Sequence, residues 1–319
     1  MIHNIKNKKI LVTGGTGQIG SFLVEELVKK EANVFVIGRN KKNLKEIDLL
    51  IKSKKVTFLE CDLINNNKIN KINKILKEID LLIHLSSELS EVKTNLIDNA
   101  HFSIDLNING TINLLPHLIK LKGIVYSSST AVYGNTEGKR ANEESITNPI
   151  SFYGCGKLGA EKYLNIFCNF NKIPLTILRY SSVYGPRNRT NQVIPIFIKK
   201  ALENKTIILY KKGKPIRDFI YISDIINATM KVITNNQEGI FNIGSGEKTT
   251  MYHLAKKIIK LTNSKSKIIF KKSLNEINFV SNSKKAKMKL KFNTKINLDK
   301  GLLKEIDWHK KYNTIKKWV

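Results

Sequence analysis

The sequence has no apolar run approaching the ~18 residues of a membrane span. Its opening residues, MIHNIKNKKILVTGG, pass into a short apolar segment without a secretory hydrophobic region, so a cytoplasmic location is expected. Cysteine is scarce: Cys61, Cys155 and Cys168 are odd in number and show no metal or disulfide spacing. They read as reduced, partly buried thiols. His3, His84, His101, His117, His253 and His309 form no pair at helical or finger spacing, so no metal is expected and each is assigned an ordinary structural role. Arginine is scarce as well. Of 55 basic residues six are Arg, which leaves 49 Lys in a chain of net charge +29. Arg is the residue suited to bidentate phosphate and base recognition. Lys scattered among Asn and Ile instead reads as composition drift, and neither nucleic acid nor membrane is the expected partner. The densest basic stretch, NSKKAKMKLKFNTK at 282–295, reads as a solvated face.

What is present is a chain of 319 residues, 41% hydrophobic, long enough for a full core in one large domain or two joined ones. KKILVTGG, NVFVIG, KVTFLECD, IDLLIHLSS, KGIVYSSS and PLTILRYSS read as short apolar strands, with helical segments such as GQIGSFLVEELVKK between them. Strands alternating with helices predict an α/β fold with a doubly wound parallel sheet of the Rossmann kind, and ligands beyond the carboxyl ends of its strands. After residue 185 the alternation loosens. Helices are expected at 193–204, 223–234, 249–261 and 297–308, and short strands at 206–210 and 218–221. The division drawn is 1–185 for dinucleotide binding and 186–319 for a smaller, substrate-binding lobe, with chain crossings between the two allowed.

TGGTGQIG, at 13–20, follows the first strand and opens a helix, the context a dinucleotide fingerprint requires. Gly14, Gly17 and Gly20 let the backbone turn, approach a pyrophosphate and pack helix on sheet, with Gln18 and Ile19 in the first helical turn. The second strand ends in VIGRN without the acid that would hold an NAD ribose. Arg39 leans the choice between NAD and NADP toward NADP, though it could equally stack on adenine or face water. Asp62, ending the third strand beside Leu63, can bond the adenine amino group; its alternative role is a helix N-cap.

SFYGCGKLGA, at 151–160, sets Tyr153 and Lys157 on one helical face. A unit charge about 4 Å from a phenol, at an effective dielectric near 20, is worth about 4 kcal/mol, enough to make tyrosine an acid or base near neutral pH. The two glycines inside this helix start raise the question of what they make room for. YSSSTAVYG, at 126–134, ends the fifth strand in hydroxyls, of which Ser129 can hold a substrate alcohol while Tyr153 moves its proton.

Through TGGTGQIG, CDL, HLSS, NINGT, YSSSTAVYG, YGCGK, RYSSVYGPR, RDFIYISD, NIGSG and the final helix, nearly the full length resembles the extended short-chain dehydrogenase/reductase family, in its nucleotide-sugar epimerase/dehydratase branch. The resemblance implies Ser129, Tyr153 and Lys157 as catalytic hydroxyl, catalytic Tyr and its Lys, and Asn107 as support for the strand ends and a proton relay. Arg217 matches an arginine that grips a diphosphate, a bidentate task; its alternative is an ion pair with Asp218 or Asp224. Ser182 stands where relatives carry an Asn, which weakens the expected substrate contact there. Thr130 and Ala131 follow Ser129 where dehydratases of the family carry an Asp-Glu pair, which argues against a 4,6-dehydratase. Lys211, Lys212 and Gly213 replace a Gly-Asp-Gly turn. The resemblance thus implies an NAD(P)-dependent nucleotide-sugar 4-epimerase. A 4-keto nucleotide-sugar reductase using NADPH and a non-catalytic cofactor-binding protein are the alternatives. It also implies a homodimer formed through a helix within 91–120 and the helix bearing Tyr153.

Overall fold

The computed structural model describes residues 4–40, 44, 46–87, 96–188, 191–272 and 278–313. His3 and the start of the expected 91–120 helix, residues 91–95, lie outside them. Seven strands form one sheet: β1 (Lys9–Thr13), β2 (Asn33–Gly38), β3 (Val56–Glu60), β4 (Leu81–His84), β5 (Ile124–Ser129), β6 (Leu175–Tyr180) and β7 (Gly239–Ile243). Their order is β7-β6-β5-β4-β1-β2-β3. β1 pairs in parallel with β2 and β4, and β2 with β3. The order reverses between β1 and β4, the place where such sheets open a ligand crevice. β4 is buried at every position and β5 at all but its last, as expected of strands covered on both faces.

The longer helices beside this sheet are α1 (Gln18–Lys29), α2 (Asn66–Leu76), α3 (Leu96–Ile104) and α4 (Phe152–Asn171). α1 buries Gly20, Leu23, Val24 and Leu27, a stripe at helical spacing. α4 begins at Ser151, whose hydroxyl accepts from Gly154 N at 3.1 Å. It stops at Lys172, left-handed at φ +54°. Leu11, Ile37, Leu82, Ile124, Leu164 and Ile177 belong to the core between the layers.

The chain divides into two compact units: 1–134, 146–179 and 228–241 form the first, and 135–145, 180–227 and 242–319 the second. The chain leaves the first unit at 180 and returns to it at 228–241. The physical reason is the sheet's edge: its seventh strand starts at Gly239, so chain from beyond 186 must return to pair there.

In the second unit, Ser182–Tyr184 pairs in parallel with Phe219–Tyr221, and Ile207–Tyr210 with Ile268–Lys271. Its helices include Val193–Leu202, Met251–Leu261 and Leu298–Asn313, the last running past the expected end at Trp308. In the basic stretch, Ala286, Leu290 and Phe292 are buried while Lys284, Lys287, Lys289 and Lys291 are exposed, an amphipathic surface helix. Cys61 and Cys168 are buried, and burial raises their thiols to about 11 and about 12. Cys155 is exposed, contrary to expectation. Among the described residues no helix is long and apolar enough to cross a membrane.

Candidate active site

The turn from β1 into α1 is closed by Gly17 N donating to Gly14 O at 3.0 Å. Gly14 stands at φ +67°, and a Cβ there would meet the backbone N of Ser86 at 2.9 Å. A Cβ on Gly20 would run into Gly14 O and the Cα of Gly15. Gly17 is the N-cap of α1 and brings no side chain there, and a helix start of this kind suits an anion. A dinucleotide pyrophosphate fits this cradle. Arg39 is exposed at the bend after β2. Asp62 does not cap the next helix. Asn65 does, accepting from Lys68 N at 3.1 Å, while Asp62 Oδ1 accepts from Ile64 N at 3.4 Å. Leu63 is buried, and its carbonyl accepts from Asn113 Nδ2 at 3.1 Å.

Lys157 is 1% exposed and donates from Nζ to the carbonyl of Ser127 at 2.7 Å. Its ammonium lies 4.8 Å from the centre of the Tyr126 ring. Burial pulls Lys157 down to about 7, and the charge of Glu161 works against that pull. Tyr153, half-buried, lies one turn earlier on the same face of α4. Ser129 ends β5, and its Oγ accepts from Ala131 N at 3.1 Å, which turns the chain at the strand tip.

The glycines of α4 answer the question the sequence raises. A Cβ on Gly154 would stand 2.7 Å from the Ala131 carbonyl oxygen. One on Gly156 would stand 2.6 Å from Ser103 Oγ and 3.1 Å from Asn107 Cβ. The bare helix face admits the turn after Ser129 on one side and Asn107 on the other. Ser103 Oγ donates to the Phe152 carbonyl at 2.7 Å, which ties the two helices at this contact. Asn107 is buried within one turn of π-helix, Asp105–Asn109, a distortion frequent at functional sites.

A directed chain of hydrogen bonds links this turn to the glycine loop. Thr13 Oγ1 accepts from the backbone N of Leu85 and Ser86, each at 3.1 Å, so its proton goes to His84 Nδ1 at 2.7 Å. His84 Nε2 then donates to Thr111 Oγ1 at 2.9 Å, and Thr111 donates to the Asn107 carbonyl at 2.7 Å. The side chain of Asn107 accepts from Ser87 Oγ at 2.8 Å and donates to the Ser103 carbonyl at 3.0 Å. Burial, then the charge of Lys157, push His84 down to about 3, so it stays neutral and keeps this tautomer.

In the second unit, the backbone N of Ser182 donates to the Asp218 carbonyl at 3.0 Å. Arg217 is half-buried, and burial lowers its pKa. The Asp218 carboxylate, 1% exposed, gathers Ser181 Oγ, Ser245 N and Oγ, Gly246 N and Ser281 N. The Asp224 carboxylate accepts from Lys295 N and Ile296 N.

Sequence reasoning nominated neither the Thr13–His84–Thr111 chain nor the pair of Glu161 and Arg179 behind Lys157. Glu161 carried a usable signal: it falls four residues after Lys157 and eight after Tyr153, on their helical face.

Residues 10–244 match the NAD dependent epimerase/dehydratase family. The UDP-glucose 4-epimerase of Thermotoga maritima, solved with UDP-glucose, superposes with a TM-score of 0.86 at 27% identity, covering 96% of this chain and 99% of that one. The UDP-glucuronic acid 4-epimerase of Bacillus cereus, solved with UDP-glucuronic acid and NAD, gives 0.87 at 29% identity, covering 95% and 99%. The human dTDP-D-glucose 4,6-dehydratase is 27% identical over 319 residues, covering 95% of this chain and 90% of the relative. A match spanning the glycine turn, the Ser-Tyr-Lys constellation and most of the sheet makes this chain an enzyme of the NAD-dependent epimerase/dehydratase family.

Proposed function

We propose that the chain is a nucleotide-sugar 4-epimerase, acting on UDP-sugars with NAD as its cofactor. The observation that carries this reading is the buried Lys157 ammonium, anchored to Ser127 one turn from Tyr153 and beside the strand end that bears Ser129. Thr130 and Ala131 bring no carboxylate after Ser129, which favours epimerisation over elimination of water.

When bound, NAD supplies a reversible hydrogen acceptor for the sugar carbinol carbon. Gly14, Gly17, Gln18, Ile19 and Gly20 would hold its pyrophosphate, Asp62 and Leu63 its adenine side, and Lys157 its nicotinamide ribose. Lys157 also stabilises the phenolate of Tyr153 by its charge. Tyr153 accepts the proton of the C4 hydroxyl in the oxidising direction and returns it in the reducing direction, while Ser129 bonds the same oxygen. Asn107 braces the strand ends and the proton path. In the second unit, Arg217 and Ser182 take the substrate diphosphate, and Arg217 suits the task by its fork of donors. A cytoplasmic homodimer completes this reading: Tyr163, Ile166 and Phe170 form an exposed apolar row on α4.

Arg39, exposed at the end of β2 where an NADP phosphate would be received, supports one other reading, reduction of a 4-keto nucleotide sugar by NADPH. A screen of UDP-, GDP-, dTDP- and CDP-sugars together with their 4-keto forms separates the two. The epimerase reading expects isomer formation without added reductant. Steady loss of NADPH absorbance at 340 nm, with no isomer formed, would replace it by the reductase.

A further inference from the structure

Tyr153 and Lys157 are followed at the same spacing by Glu161, which is 3% exposed. Its carboxylate is fixed by two neighbours. Ser128 Oγ donates to Oε1. Arg179 donates to Oε1 from Nε at 3.0 Å and to Oε2 from Nη2 at 2.7 Å. Arg179 is 4% exposed and also donates from Nη1 to the Tyr133 hydroxyl at 2.8 Å. Ser127 and Ser128, the two residues before Ser129, are thus held from α4, one by Lys157 and one by Glu161. Arg179 holds the far end of the turn that follows.

We propose that Glu161, clamped by Arg179, is a positioning residue of the active site: it keeps the Lys157 ammonium charged and fixes the strand end that presents Ser129. The inference rests on reading Ser129, Tyr153 and Lys157 as the catalytic groups. A buried ion pair is a weak stabiliser in itself, but an opposite charge within ~4–6 Å moves a neighbour's pKa by about 1–3 units. The groups that face Lys157 come from several elements. Tyr126 of β5 is kept protonated by burial, and His84 of β4, stacked on it, is kept neutral. Tyr153 shares α4, while Arg179 of β6 and Tyr133 stand beyond Glu161. Among these, Glu161 is the carboxylate opposing the desolvation of Lys157.

The test titrates Lys157 directly, without substrate or cofactor, through the Cε resonance of protein carrying carbon-13-labelled lysine, assigned by its absence in Lys157→Met. The wild type is expected to titrate near 7. Glu161→Gln should titrate at least about one pH unit lower, and Glu161→Asp, which keeps the charge, close to the wild type. With UDP-glucose and NAD, the alkaline limb of kcat should move acidward with the titration. A Lys157 resonance in Glu161→Gln within about 0.3 unit of the wild type would overturn the inference, since no charge effect of the expected size would remain. Should Glu161→Gln not yield folded protein, the shift is read between Arg179→Gln and the double variant Glu161→Gln with Arg179→Gln, which differ in the Glu161 charge alone. The catalytic reading is judged separately, by turnover of Tyr153→Phe. An unmoved titration beside an inactive Tyr153→Phe sinks this inference alone.

Discussion

Gly156 of α4 lies against Asn107 so closely that a Cβ on the glycine would stand 3.1 Å from both Cβ and Nδ2 of the asparagine. The contact joins the Tyr153–Lys157 helix to the π-helical turn, and through Thr111, His84 and Thr13 to the glycine loop. Gly156→Ala gains about 1 kcal/mol of helix propensity and loses about 1–3 kcal/mol to overpacking. Because the strain falls on Asn107 and Ser103, kcat should fall about tenfold or more through misplacement of the site. Gly159→Ala is the control, since its Cβ would meet the methyl end of Ile108 at 2.8 Å, a side chain able to turn aside. Equal activity of the two variants would refute a special role for the Gly156 contact.

Glu305 in the final helix is fully buried, and burial pushes its carboxyl up to about 8. Burial pushes His309 down to about 4, so their 4.0 Å contact at pH 7 joins two neutral groups rather than an ion pair. Glu305 accepts from Gly185 N at 3.0 Å and Asn188 Nδ2 at 3.4 Å. Its folded pKa lies above the unfolded value of about 4.3, so its contribution to stability is complete below about 4 and is lost as pH rises through about 8. His309 acts in the opposite sense. Its contribution is complete above about 6.5 and is lost as pH falls through about 4. The window from about 6.5 to 8 therefore belongs to Glu305 within this pair. The wild-type melting temperature minus that of Glu305→Gln should decrease across that window. A constant difference would show that Glu305 does not titrate there.

Tyr163, Ile166 and Phe170 are 50%, 60% and 89% exposed and fall on one side of α4. Such a row is an unusual cost for a monomer in water. Phe170→Glu should convert a dimer into a monomer in sedimentation velocity, with the far-ultraviolet spectrum unchanged. A monomeric wild type, or a variant that stays dimeric, would remove the expected pairing of this helix.

What the sequence made legible is what short spacing encodes. Six of the seven sheet strands, the Gly14–Gly20 turn and the face shared by Tyr153 and Lys157 each lie within a few residues, where pleat, turn and helical period speak directly. Contacts made across long separations were not readable. Arg179 reaches Glu161 over 18 residues and Thr13 reaches His84 over 71, and neither pair has a local pattern of its own. The returns of 135–145 to the second unit and of 228–241 to the first carry no local signal for the same reason. The role of Gly154 and Gly156 became clear only when Ala131 and Asn107 were seen opposite them.

The central claim is that the Tyr153 hydroxyl moves the carbinol proton under the charge of Lys157. Turnover of UDP-glucose by Tyr153→Phe, measured beside its dissociation constant for NAD, tests this most directly. Isomer formation should fall by about 10²-fold or more with NAD still bound. Isomer formation at the wild-type rate would contradict it.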